Sequence, residues 1–192
     1  GVVDSYFKAN YRVGGLCGEN YYGTISNCYN TGTVSCKVST DLGVYIGGVC
    51  GINFCGTITN CHNTGAVSGE YQGNDETMMV FAGGVCGENR DGTIVNCYNT
   101  GTVNGKTTNS LEIFVGGVCA CCNGSDGSIV ISNCYNTGNV KGESAREDGY
   151  VKVGGVCASN GASISNCYST GTVEGIAPEY GTVLSGGLCG ET

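Results

Sequence analysis

Fifteen cysteines in 192 residues are the side chains best equipped for chemistry in this sequence. As thiolates they could attack an electrophile, ligate zinc or join as disulfides. Ten recur in twos along the chain: Cys17 and Cys28, Cys50 and Cys61, Cys86 and Cys97, Cys119 and Cys134, Cys157 and Cys167, separated by 11, 11, 11, 15 and 10 residues. Nucleophilic catalysis needs a base beside the thiol. The single histidine, His62, stands where other repeats have Tyr29, Tyr98, Tyr135 and Tyr168, and reads as a substitution in an aromatic column. "CACC" from Cys119 is the nearest approach to a zinc-ribbon pair, and one irregular cluster is a weak basis for a metal site. Acidic residues gather mainly in spacers, and the position shared by Glu19 and Glu88 is interrupted by Ile52 and Ser159, so no carboxylate pair suited to glycoside cleavage emerges. The expectation is a protein without catalytic residues, cofactor or metal.

The elements that position these residues are written in repeats. The phrases "GGLC" and "GGVC" begin at Gly14, Gly47, Gly83, Gly116, Gly154 and Gly186, in steps of 33, 36, 33, 38 and 32 residues. A period in this range marks a solenoid, propeller or array. Each unit reads as short β-like pieces between Gly and Asn turns, which predicts one all-β domain over 1–192: a parallel β-solenoid (β-helix) of five full rungs plus a partial sixth, with three short strands per rung. Before each glycine pair, residues such as Val44 and Ile46 or Ile113 and Val115 alternate with period two and predict a buried face. Between them, Tyr45, Phe81, Phe114 and Leu184 point the other way and form a candidate contact stripe. Insertions at "GEYQGNDETM" and "GESAREDG" fall between repeats, where loops can leave the stack.

Stacked rungs turn equivalent residues into columns. Asn27, Asn60, Asn96, Asn133 and Asn166 predict an amide ladder, and Gly32, Gly65, Gly101, Gly138 and Gly171 are expected to supply positive φ at a corner. Tyr29, His62, Tyr98, Tyr135 and Tyr168 form a candidate ligand column able to stack on sugar rings, or a structural stack that covers a corner. The threonines Thr33, Thr102 and Thr172 suggest an ice-binding column, but Ala66 and Asn139 break it.

Composition excludes other classes. A net charge of -8 with only eight Lys and Arg argues against nucleic-acid binding, and no apolar run reaches the length of a membrane span. The chain opens on "GVVDSYFKANYRV", which reads as another strand of the stack, and finishes on "GGLCGET", the opening phrase of another unit. It reads either as a piece of a longer array or as a subunit that associates head to tail, with Cys189 available for an intermolecular bond.

The stretch "GGVCGENRDGTIVNCYNTGTVNG" from Gly83 resembles the GLUG motif, a repeat of bacterial surface adhesins and of non-catalytic parts of some IgA-cleaving peptidases. The resemblance covers all five full repeats and implies a secreted or cell-surface protein without enzymatic activity: a stalk or head-to-tail fibre subunit. An adhesin-type module recognising glycan or a surface protein is the alternative. Where such repeats usually carry an apolar residue and a serine, this chain has cysteine at both places. That joint departure suggests disulfides between the two cysteines of each repeat; bonds between like positions on neighbouring rungs are the competing scheme. Cys36, Cys55, Cys121 and Cys122 have no repeat counterparts.

Overall fold

A computed structural model describes residues 10–124 and 129–192. The first nine residues, part of the stretch expected to open the stack as a strand, lie outside the described residues. The described chain is all β, and every strand pairing is parallel. Rungs succeed one another in a solenoid of about five turns.

Each complete rung holds five strand segments rather than the three expected. In the second rung these are Val44–Gly47, Cys50–Phe54, Thr57–Thr59, His62–Asn63 and Val67–Tyr71. Equivalent segments stack into five parallel sheets, here sheets 1 to 5 in that order. Two segments were missed because Asn60 breaks one β-like piece at a corner and the glycine pair is a bend between two strands, not the start of one. The register never slips: Val44, Val80, Ile113, Val151 and Val183 share one position, as the period-two pattern requires.

The cross-section contains two main cores. Sheets 1 and 5 face each other through Val44, Ile46, Val80, Ile113 and Val115 on one side and Val67, Tyr71, Val103 and Val140 on the other. Sheets 2 and 3 with the adjoining turns enclose the second, built from Val49, Ile58, Ile94, Val118, Ile131 and the paired cysteines. Between them lies a waist where a glycine pair meets an amide. A Cβ on Gly48 would lie 2.2 Å from the Gly84 carbonyl oxygen and 2.3 Å from the Asn63 side chain, so only glycine fits.

The corner glycines also answer to space. None of Gly32, Gly65, Gly101, Gly138 and Gly171 adopts positive φ; a Cβ on Gly101 would sit 2.0 Å from the Gly65 oxygen of the rung beside it. The left-handed corner belongs to the asparagines: Asn27, Asn60, Asn96, Asn133 and Asn166 have φ of 52 to 55°. Asparagine tolerates this conformation better than other non-glycine residues. Their side chains bond between rungs, Asn60 to Asn27 at 3.2 Å and Asn96 to Asn60 at 3.1 Å. A second ladder runs along the waist, buried from Asn63 to Asn136 and half-buried at Asn30. Asn30 donates to Asn63, Asn63 to Asn99 and Asn99 to Asn136, each at 2.8 Å, and each amide also donates to the glycine carbonyl two residues on.

The insertions leave the stack but bond to one another. The Tyr71 hydroxyl donates to the Asp75 carbonyl, Asn109 donates to the Asn74 carbonyl, and Arg146 pairs with Glu76 at 2.7 Å.

Candidate functional site

The proposed contact stripe is not a surface. Phe81 and Phe114 are 5% exposed, Phe81 stacks between Tyr45 and Phe114 at 4.7 Å from each ring centre, and Leu184 is half-buried in the last rung. These rings join Ala120, Cys121 and Ala158 of sheet 2 in a third apolar cluster. Sequence alternation placed them opposite the first core, but the bend at the glycine pair folds sheet 2 towards them. Charges close the cluster. Lys152 stands 4.8 Å from the Phe114 ring centre and pairs with Glu112 and Glu191, and Arg90 grips both oxygens of the buried Glu88 carboxylate at 2.9 Å.

The aromatic column is a continuous stack. Tyr29, His62, Tyr98, Tyr135 and Tyr168 lie 4.6 to 5.2 Å apart, with successive planes turned by 2 to 8°. Each inner ring spends both faces on its neighbours. Sugar stacking requires a free face, so the inner rings offer a ligand only their edges, and a free face remains only on the terminal Tyr29 and Tyr168. A second aromatic group escaped the sequence reading because it does not repeat: Tyr21 stacks on Phe54 at 5.2 Å, with Tyr22 edge-on to Tyr21 at 4.7 Å.

The cysteines depart most from expectation. All fifteen are free thiols, and the expected partners within a rung are not bonded. Instead, parallel register lines up like positions. Cys17, Cys50, Cys86, Cys119, Cys157 and Cys189 share one position in sheet 2; Cys28, Cys61, Cys97, Cys134 and Cys167 share another, just before sheet 4. Both columns pack in the second core. The Cys17 and Cys50 sulfurs are 3.5 Å apart, and the Cys97, Cys134 and Cys167 sulfurs each sit 3.4 Å from the backbone nitrogen of the preceding column member.

The four cysteines without repeat counterparts have separate places. Cys36 takes the sheet 5 position that Gly69 and Gly105 hold in the next rungs, against the first core. Cys55 occupies a left-handed corner with φ 48°. Cys121 joins the third cluster, and Cys122 sits between Cys119 and Cys157, its sulfur 3.8 and 3.7 Å from theirs. No group of three or more His, Cys, Asp or Glu side chains among the described residues is arranged to hold a metal ion.

The family model of the GLUG motif matches residues 9–35, 82–104 and 149–174. The chain carries GLUG repeats. No curated protein and no solved structure matches it. The matched GLUG segments belong to the first, third and fifth rungs. All four cysteines outside the two columns fall between those segments.

Burial and neighbouring thiols together set the protonation of the cysteines. Removal from water pushes Cys86 and Cys121 well above the ordinary thiol range, and Cys97 is raised by its Cys134 and Cys61 neighbours together with burial. Cys50 and Cys134 are pulled down, each by S–H groups of the thiols on either side. One pH effect follows from Cys121. Its raised folded pKa keeps it protonated where the unfolded thiol, near about 8.5, has ionised. Its stabilising contribution is complete below that value and is lost as pH rises. In the reduced protein, urea stability measured between pH 8 and 9.5 should decline less steeply for Cys121→Ala, by up to about 1.4 kcal/mol per pH unit.

Proposed function

We propose that this GLUG-repeat chain is a non-enzymatic structural element of a secreted or bacterial cell-surface protein, serving as a segment of a stalk or fibre. The observation that carries this reading is the unbroken register of rungs. Every sheet runs through all complete rungs, so each added repeat lengthens the stack by about 4.8 Å without a new kind of contact. Among the described residues, the first and last strands of each sheet pair on one side only. A further rung would satisfy them, whether supplied by a longer array or by a second copy docking head to tail. Electron microscopy and sedimentation over a wide concentration range test this reading. Rigid rods that lengthen in proportion to repeat number support it; a compact particle whose length does not follow repeat number overturns it. Growth of filaments from this chain alone identifies the head-to-tail form.

An adhesin-type role is favoured by one observation: Tyr29 and Tyr168 remain 61% and 51% exposed at the two ends of the aromatic stack. Tyr98→Ala with Tyr135→Ala separates the two uses of that column. Breaking the stack should lower stability by about 1 to 3 kcal/mol in urea titration. Loss of retention on a glycan array at unchanged stability would instead make the column a ligand site.

A further inference from the structure

We propose that the two cysteine columns are exchangeable disulfide lines, in which oxidation joins neighbouring rungs and the bonds then move along the axis. In-register rungs place like residues about 4.8 Å apart at Cα, inside the range of about 4.4 to 6.8 Å spanned by disulfides. The sulfurs already approach that geometry: Cys17 and Cys50 at 3.5 Å, Cys119 and Cys122 at 3.8 Å, Cys122 and Cys157 at 3.7 Å. Cys122 thus extends the six-residue column to a line of seven thiols beside the line of five. Both numbers are odd. A line of five closes two bonds and a line of seven closes three, and each keeps one thiol to attack its neighbour.

Access is restricted to the outer members. Cys50, Cys61, Cys86, Cys97, Cys119 and Cys134 are buried, whereas Cys17, Cys28, Cys167 and Cys189 are half-buried. A small disulfide such as oxidised glutathione can therefore react first at Cys28. The Cys28 thiolate attacks one sulfur of that reagent, forming a mixed disulfide and releasing one small thiolate. The Cys61 thiolate then attacks the Cys28 sulfur, closing Cys28–Cys61 and expelling the second. Two protein thiols have lost two electrons and two protons, and one reagent molecule has become two thiols. Attack of Cys97 on the Cys61 sulfur next closes Cys61–Cys97 and returns Cys28 as a thiolate, with no net oxidation. The flanking S–H donors that pull Cys50 and Cys134 down also favour a transient thiolate within each line.

The test is oxidation of the folded chain with oxidised glutathione, acid quenching and mass mapping of unreduced peptides. The result expected is a mixture of links between like positions, including Cys28–Cys61, Cys61–Cys97, Cys97–Cys134 and Cys134–Cys167. In Cys97→Ser, which keeps the side chain's size, that line should collapse to Cys28–Cys61 and Cys134–Cys167 alone. Circular dichroism confirms that the variant is folded, and Cys61→Ser, expected to leave Cys28 unlinked, repeats the test at another rung. Links between the two lines such as Cys86–Cys97, one fixed set of links in the wild type, or interior thiols that stay fully titratable after prolonged oxidation would each overturn the proposal.

Discussion

Replacing Gly116 by alanine is expected to destabilise the fold by at least about 3 kcal/mol, read as a fall in the urea midpoint or failure to fold. A Cβ at this position would lie 1.8 Å from the carbonyl oxygen of Cys119 and 3.1 Å from the Ala120 Cα. Neither is the end of a flexible side chain. The obstructing carbonyl sits in a bend clamped by bonds to the rungs on both sides, since Gly84 donates to the Gly116 carbonyl at 3.0 Å and Gly117 to that of Gly154. Relief in one rung would have to shift the next. The control is Gly187→Ala, the second glycine of the last pair, where a Cβ meets nothing within 4 Å. That variant should stay within about 1 kcal/mol of the wild type, and an equal loss at both positions would show that steric approach is not the cause.

The second large effect is expected at Asn99. Its amide donates to the Gly101 carbonyl at 2.7 Å and to Asn136 at 2.8 Å, and its oxygen accepts from Asn63 at 2.8 Å, all without contact with water. Alanine there removes three bonds and strands the Gly101 oxygen and one Asn63 N–H in a buried waist. At about 1 to 3 kcal/mol for each buried group left without its partner, Asn99→Ala should cost about 3 kcal/mol or more. Asn30→Ala, in the more open first rung, should cost less than half as much. The naturally shorter Ser169 at the far end of this ladder still accepts from Asn136 at 3.3 Å, so Asn136→Ser tests whether a hydroxyl suffices inside the stack.

These residues also show what the sequence could and could not disclose. Repetition of the glycine pair and alternation of Val44 with Ile46 were enough to give parallel rungs, their register and one buried face, because a one-residue slip would turn a whole strand to solvent. The amide and aromatic columns followed from the same register. The roles within "NCYNTG" did not. Its two asparagines look equivalent in one dimension, yet Asn96 takes the left-handed corner while Asn99 fills the waist, and the glycine is demanded by the neighbouring rung's carbonyl. That demand exists only after stacking. The cysteine partners failed for a related reason: the joint recurrence of two cysteines in each repeat favoured bonds within a rung, whereas three-dimensional repetition brings the sulfurs of residues 33 apart, Cys17 and Cys50, to 3.5 Å. Phe81 and Phe114 misled because alternation tells inside from outside for one sheet but not where the next sheet bends.

The near-parallel aromatic rings carry one more implication. Successive rings stand 4.6 to 5.2 Å apart, so a marker on one rung and its equivalent several rungs away are separated by one such step for every rung between them. In the stalk proposed above a duplicated repeat would add one such step of reach, so gain or loss of repeats by recombination would work as a ruler, graduated in single rungs, for how far a distal segment is held from its base.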